Sequence, residues 1–157
     1  MKRIAMLALV VVMLVTLTGV ASAAKPVEAT FTINGSATRS TFYILPNGLT
    51  SYHLFAVGTS TDYFTGPFTY EEWGTVDIDP GTGQIIKGKN RSILTINPLA
   101  GEVIIELSGK IDRLGVTGEF NLQQKDGTGA YRGLDGQGHY SGSGGSPFRV
   151  TFTGKFH

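Results

Sequence analysis

Cysteine is missing from all 157 residues. A disulfide framework, a thiolate metal site and a cysteine nucleophile are therefore excluded together, and so is a lipid anchor on an acylated cysteine. From Val27 onward helical periodicity is also missing: no window of helical length repeats its apolar residues every 3.6 positions. No Gly-x-Ser-x-Gly elbow stands between a strand and a helix, since Gly142-Ser143-Gly144-Gly145-Ser146 reads as a loop. Gly127-Thr128-Gly129 with Gly133 falls short of a phosphate cradle, because neither a helix nor the required lysine follows. Asp77, Asp79 and Gly81 lack the spacing and closing glutamate of a calcium loop and read as a hairpin turn. The sequence thus calls for no metal and no cofactor.

Charge of one sign is scarce as well. The whole chain carries a formal +1. The first 23 residues, however, have the three parts of an export signal: Lys2 and Arg3, an apolar run from Ile4 to about Val15, and the small-residue stretch Ala21-Ser22-Ala23. Cleavage after Ala23 is expected, with an uncleaved membrane anchor as the competing reading. Removing Lys2 and Arg3 leaves eleven basic against twelve acidic residues, a formal −1. Such a near-neutral chain has no electrostatic footprint for nucleic acid or for an anionic membrane surface, so neither is expected as a partner. The expected location is secreted or periplasmic, with residues 24–157 forming one domain.

What is present is alternation. Val27, Ala29, Phe31 and Ile33 oppose Glu28, Thr30 and Thr32, and Asn34-Gly35 then reads as the end of that strand. A run from Thr41 to Leu45 turns at Pro46-Asn47-Gly48 and returns through Leu49 to Val57, and the polar stretch Gly58 to Gly66 is expected to be a loop. Phe68 to Ile78 follows as a long strand, with Gly74 expected to mark a bulge, and Asp79-Pro80-Gly81-Thr82-Gly83 turns the chain. Further strands are read at 84–88, 92–96, 102–110 and 116–123, before a closing strand in which Phe148, Val150, Phe152, Gly154 and Phe156 alternate with polar residues. The pattern predicts an all-β fold, a single antiparallel β-barrel of about eight strands, with a β-sandwich as the alternative.

The segment from Asp126 to Gly142 resembles the glycine-rich signature of secreted β-barrels related to allene oxide cyclases and dirigent proteins, with Gly127, Gly129, Gly133, Gly136, Gly138 and Gly142 in the motif positions. Phe64-Thr65-Gly66 before Glu71, the turn at 79–83 and the closing Phe152-Thr153-Gly154 are similar to bacterial members of this group. The resemblance covers most of the mature chain and implies the barrel fold. Its motif consists of structural glycines, with Tyr131 and Tyr140 expected to pack over the bare backbone of Gly136, Gly138 and Gly142. In the plant enzymes the lumen steers cyclisation of a fatty-acid epoxide, and in dirigent proteins it orients phenoxy radicals. Their lumen residues do not map one by one onto this chain, so neither activity follows. Members of the group often form dimers or trimers, which makes a homo-oligomer one of the expected options.

The densest candidate site is Tyr70-Glu71-Glu72-Trp73. Neighbouring strand residues face opposite ways, so Glu71 and Glu72 cannot share a cleft, whereas Glu71 and Trp73 share a face. Tyr52, His53, Glu71 and Trp73 are the candidate ligand-binding or lumen residues, with a small hydrophobic molecule as the expected partner. His53 and His139 have no spacing that makes them a metal pair. The leading functional expectation is a secreted, non-enzymatic barrel that binds a small apolar ligand or serves as a structural module. The alternatives are a barrel isomerase or cyclase acting on a hydrophobic substrate, and an interaction protein presenting Gly58 to Gly66.

Overall fold

A computed structural model describes residues 25–157; the expected export signal lies outside the described residues. Nine strands, β1 (Val27–Ile44), β2 (Thr50–Asp62), β3 (Gly66–Ile78), β4 (Ile85–Ile96), β5 (Gly101–Asp112), β6 (Gly115–Leu122), β7 (Thr128–Gly129), β8 (Gly136–Gly142) and β9 (Phe148–Phe156), follow in order, with one short 3-10 turn, Gln124–Asp126, before β7. Eight of them form a closed antiparallel barrel, and β7 adds a two-residue ladder to the start of β5. Each wall strand pairs with the next wall strand in sequence, β4 with β5 and β6 with β8 included, and β9 closes on β1 from Val27↔Phe156 to Gly35↔Phe148. The predicted barrel is thus the fold, and the closing strand has partners on both sides.

Three local expectations are corrected. Asn34-Gly35 does not end β1, which continues to Ile44. Gly35 is there for close approach: a Cβ on it would lie 2.6 Å from the Phe68 ring and 2.8 Å from the Val57 carbonyl oxygen. The stretch Gly58 to Gly66 is mostly strand, and only 63–65 turn between β2 and β3. Gly74 marks no bulge, since Tyr52↔Gly74 and Gly74↔Asn90 stay in register, and the irregularities fall at Ala37/Arg39 and Asp77/Ile78.

The two ends of the barrel differ. One is filled by phenylalanines: Phe31, Phe64, Phe152 and Phe156 are fully buried, Phe31 stacks on Phe152 with centroids 4.5 Å apart, and Phe120 stacks on Phe156. The 123–135 segment crosses this end and is tied to the C-terminus by Asp135 and His157, which exchange backbone N–H bonds. The rings need the glycines across from them. A Cβ at Gly136 would strike Phe156, and one at Gly138 or Gly154 would strike Phe120. The glycine motif therefore does carry aromatic rings, but they are Phe156 and Phe120; Tyr140 instead lies over Gly109 and Gly118, on the two strands beyond.

At the other end, β1 runs nine residues past its last β9 partner, and from Thr38 to Ile44 every residue is exposed. The barrel is left open there. A Gly138→Ala substitution, whose methyl would overlap the Thr153 carbonyl, should lower stability by about 1–3 kcal/mol, the usual cost of overpacking, in a urea titration. Gly144→Ala, where the nearest atom is 4.0 Å away, should stay within about 0.5 kcal/mol.

Candidate functional site

The open end leads into a cavity of about 750 Å³ inside the barrel. Its walls are apolar, with Ile33, Leu54, Val76, Leu107, Ile111 and Val150 among them. Along β3 the inward phase runs Phe68, Tyr70, Glu72, Gly74, Val76 and Ile78, so period-two alternation brings one carboxylate into an otherwise uncharged stripe.

Glu72 is 8% exposed and its two oxygens accept from two phenols, Tyr52 Oη on Oε1 and Tyr70 Oη on Oε2. Both oxygens act as acceptors, the role of an ionised carboxylate. Tyr70 Oη also lies 2.9 Å from Ser92 Oγ. The phenol has one proton and gives it to Glu72, so the serine donates here. Register places the rest. The inward row Tyr52↔Gly74↔Asn90↔Gly109↔Gly118↔Tyr140 puts a tyrosine at each end of a stretch with three glycines and one asparagine. A Cβ on Gly74 would overlap the Tyr52 ring and one on Gly109 the Tyr140 hydroxyl, so the two rings lean toward each other across bare backbone. Behind them Asn90 is buried, its Oδ1 3.4 Å from Tyr140 Oη and its Nδ2 without a partner among the described residues.

Burial raises the pKa of all three phenols, and the Glu72 charge adds to it. Tyr140 is pushed up to about 12, while Tyr52 and Tyr70 move further in the same direction. The floor of the cavity is therefore a set of neutral hydrogen-bond donors around one acceptor pair.

Of the residues singled out from sequence, Tyr52 faces this cavity, while His53, Glu71 and Trp73 do not. The expected lumen position of these three is corrected by register: Tyr52 and Glu72 take the inward phase of β2 and β3, which turns their neighbours outward. The three do form a cluster on the outer wall. His53 Nε2 is 2.8 Å from Glu71 Oε1, and its ring stacks on Trp73 at 5.2 Å. His53 and Trp73 border an outer groove of about 940 Å³ shared with Lys89, Arg91 and Lys110. His139 is on β8, which is not a neighbour of β2. Among the described residues no three His, Asp or Glu side chains come together as a metal site.

Sequence reading missed Glu72, Tyr70, Asn90 and Tyr140 as site residues. A signal for Glu72 was available: it is the one charge in the alternating run from Phe68 to Ile78 that shares the phase of the apolar residues. No known protein family matches the chain, and no curated protein matches it either.

Raised phenol pKa values fix the sign of an alkaline prediction. The unfolded chain loses these protons near pH 10 while the folded chain keeps them, so their contribution is complete below pH 10 and is lost as pH rises toward 12 and beyond. The unfolding free energy from denaturant titrations should fall above pH 10, by about 1.4 kcal/mol per pH unit for each phenol still protonated in the fold. Phenolate absorbance followed during the same titration should show Tyr140 ionising toward pH 12 and Tyr52 and Tyr70 only as the barrel opens.

Proposed function

We propose that this chain is an exported β-barrel protein that binds a small apolar molecule in its lumen, without a catalysed reaction. The observation that carries the reading is the cavity of about 750 Å³, walled by aliphatic side chains and ending on Glu72 and the phenols of Tyr52 and Tyr70. Concave, largely apolar sites with a few convergent polar groups are the usual form of small-ligand pockets. The volume also lies within their usual range of roughly 300–1,000 Å³. The leader-like residues 1–23 support export, and the near-neutral remainder supports a neutral or weakly charged ligand over a polyanion.

The same floor favours one alternative, a barrel isomerase or cyclase of the allene oxide cyclase or dirigent kind. A carboxylate held by two phenols in a largely apolar cavity is a fixed electrostatic feature against which a hydrophobic substrate can be oriented. Recovery of the bound molecule separates the two readings: a binder returns it unchanged on chromatography, whereas an isomerase returns a different isomer of the same mass.

Native mass spectrometry of protein purified from its own host tests the binding reading directly. A bound small molecule is expected, and a barrel that stays empty under mild conditions argues against it. With an environment-sensitive apolar dye as probe, Leu54→Trp, which fills part of the cavity, should weaken binding at least tenfold. His53→Ala and Trp73→Ala, on the outer wall, should leave it unchanged.

A further inference from the structure

The chemistry of the cavity floor goes beyond apolar binding, and any charge preference it imposes rests on the lumen being the binding site. Glu72 is buried and has no cationic partner among the described residues. Among the described residues lining the cavity, Arg113 is the single cation; it sits at the mouth, 3.4 Å from Asp79. Asp112, also at the mouth, accepts the N–H groups of Leu114 and Gly115. The deep charge is thus satisfied by hydrogen bonds but not neutralised, an arrangement that is costly in an apolar surround.

Three aromatic rings stand around it. Tyr52 and Tyr70 hold its oxygens, and Tyr140 lies across the same row, stacked on Phe152 at 5.5 Å. All three line the cavity together with Glu72, and Phe148 adds a ring 5.9 Å from Tyr70. A carboxylate without a cationic partner, in a cavity lined by aromatic and aliphatic side chains, is the chemistry that pairs with an organic ammonium group: the anion attracts the cation, and the surrounding lining accommodates a diffuse, weakly hydrated one. The volume beyond the floor suits an alkyl or aryl body, which the aliphatic walls would remove from water.

We infer that the lumen takes a cationic amphiphile, an alkyl or aryl amine or quaternary ammonium compound, with its charged head against Glu72 and the tyrosines and its apolar body toward the mouth. An alkyl carboxylate is disfavoured in this pose, because its head would place a second anion beside Glu72 without a cation to separate them. The unpaired anion also distinguishes a cation from a neutral alcohol, which could only share the phenol network.

Three probes with the same chain settle the charge preference: decyltrimethylammonium, decanol and decanoate, each below its micelle concentration, titrated calorimetrically into the barrel at neutral pH. The ammonium probe should bind at least tenfold more tightly than decanol, and decanoate most weakly. Glu72→Gln, which keeps the size and one acceptor oxygen but removes the charge, should bring the ammonium and alcohol affinities to within about threefold of each other while decanol binding persists. Decanoate binding as tightly as the ammonium probe, or a Gln variant with the wild-type order, overturns the inference. The wild-type ranking stands as a test even if the variant fails to fold. Equal binding of all three probes removes the charge preference alone, and binding of none removes the lumen reading beneath it.

Discussion

A closed eight-stranded wall has a fixed bore, and what occupies the bore is decided by where glycine takes the place of an inward side chain. In the row that runs from Tyr52 to Tyr140, Gly74, Gly109 and Gly118 leave backbone bare, and two large rings lie down in the space. Had those positions carried side chains, both rings would be displaced into the lumen. The floor of the cavity, the donors around Glu72 and the sealing of Asn90 all follow from this one exchange of Cβ atoms for ring faces.

The same device has a different outcome at the other end. There Gly136, Gly138 and Gly154 receive Phe156 and Phe120, and these rings meet Phe31, Phe64 and Phe152 at centroid distances of 5.3 to 6.5 Å. Such contacts add to the large area each ring removes from water and leave no room for a ligand. Division of labour along the barrel axis results: the phenylalanine half supplies the core, and the tyrosine half can keep a polar, under-neutralised floor. A buried carboxylate is destabilising, so a site of this kind depends on a well-packed remainder.

Much of the fold was legible because a half-buried strand advertises itself with a period of two. The closing run from Phe148 to Phe156 and the first strand both show it, and their mutual pairing is what makes a barrel of the sheet. Asn34-Gly35 misled because the dipeptide that favours a tight turn is also one that permits close approach of neighbouring strands, and only the ring of Phe68 in the folded chain distinguishes the two uses. The site was harder to read for a related reason. Parity separates Glu71 from Glu72 at once, but which of them faces inward depends on the phase of the whole strand, and the exposed-looking Trp73 pulled attention to the wrong side. Tyr140 and Asn90 could not be joined to Tyr52 without knowing the ladder across four further strands.

Closure by β1 and β9 has a kinetic side. Val27 and Phe156 are partners although nearly the whole described chain separates them, so the seam forms between the earliest and latest strands to be made. Contacts of such long sequence separation are slow to form, because the loop entropy is lost before they reward it. Until β9 arrives, the growing sheet has β1 as a bare edge, with Phe31 and Ile33 uncovered beside it. A nascent chain of this protein therefore passes through an adhesive open ribbon, and it becomes safe from its neighbours only when its final nine-residue strand zips the cylinder shut.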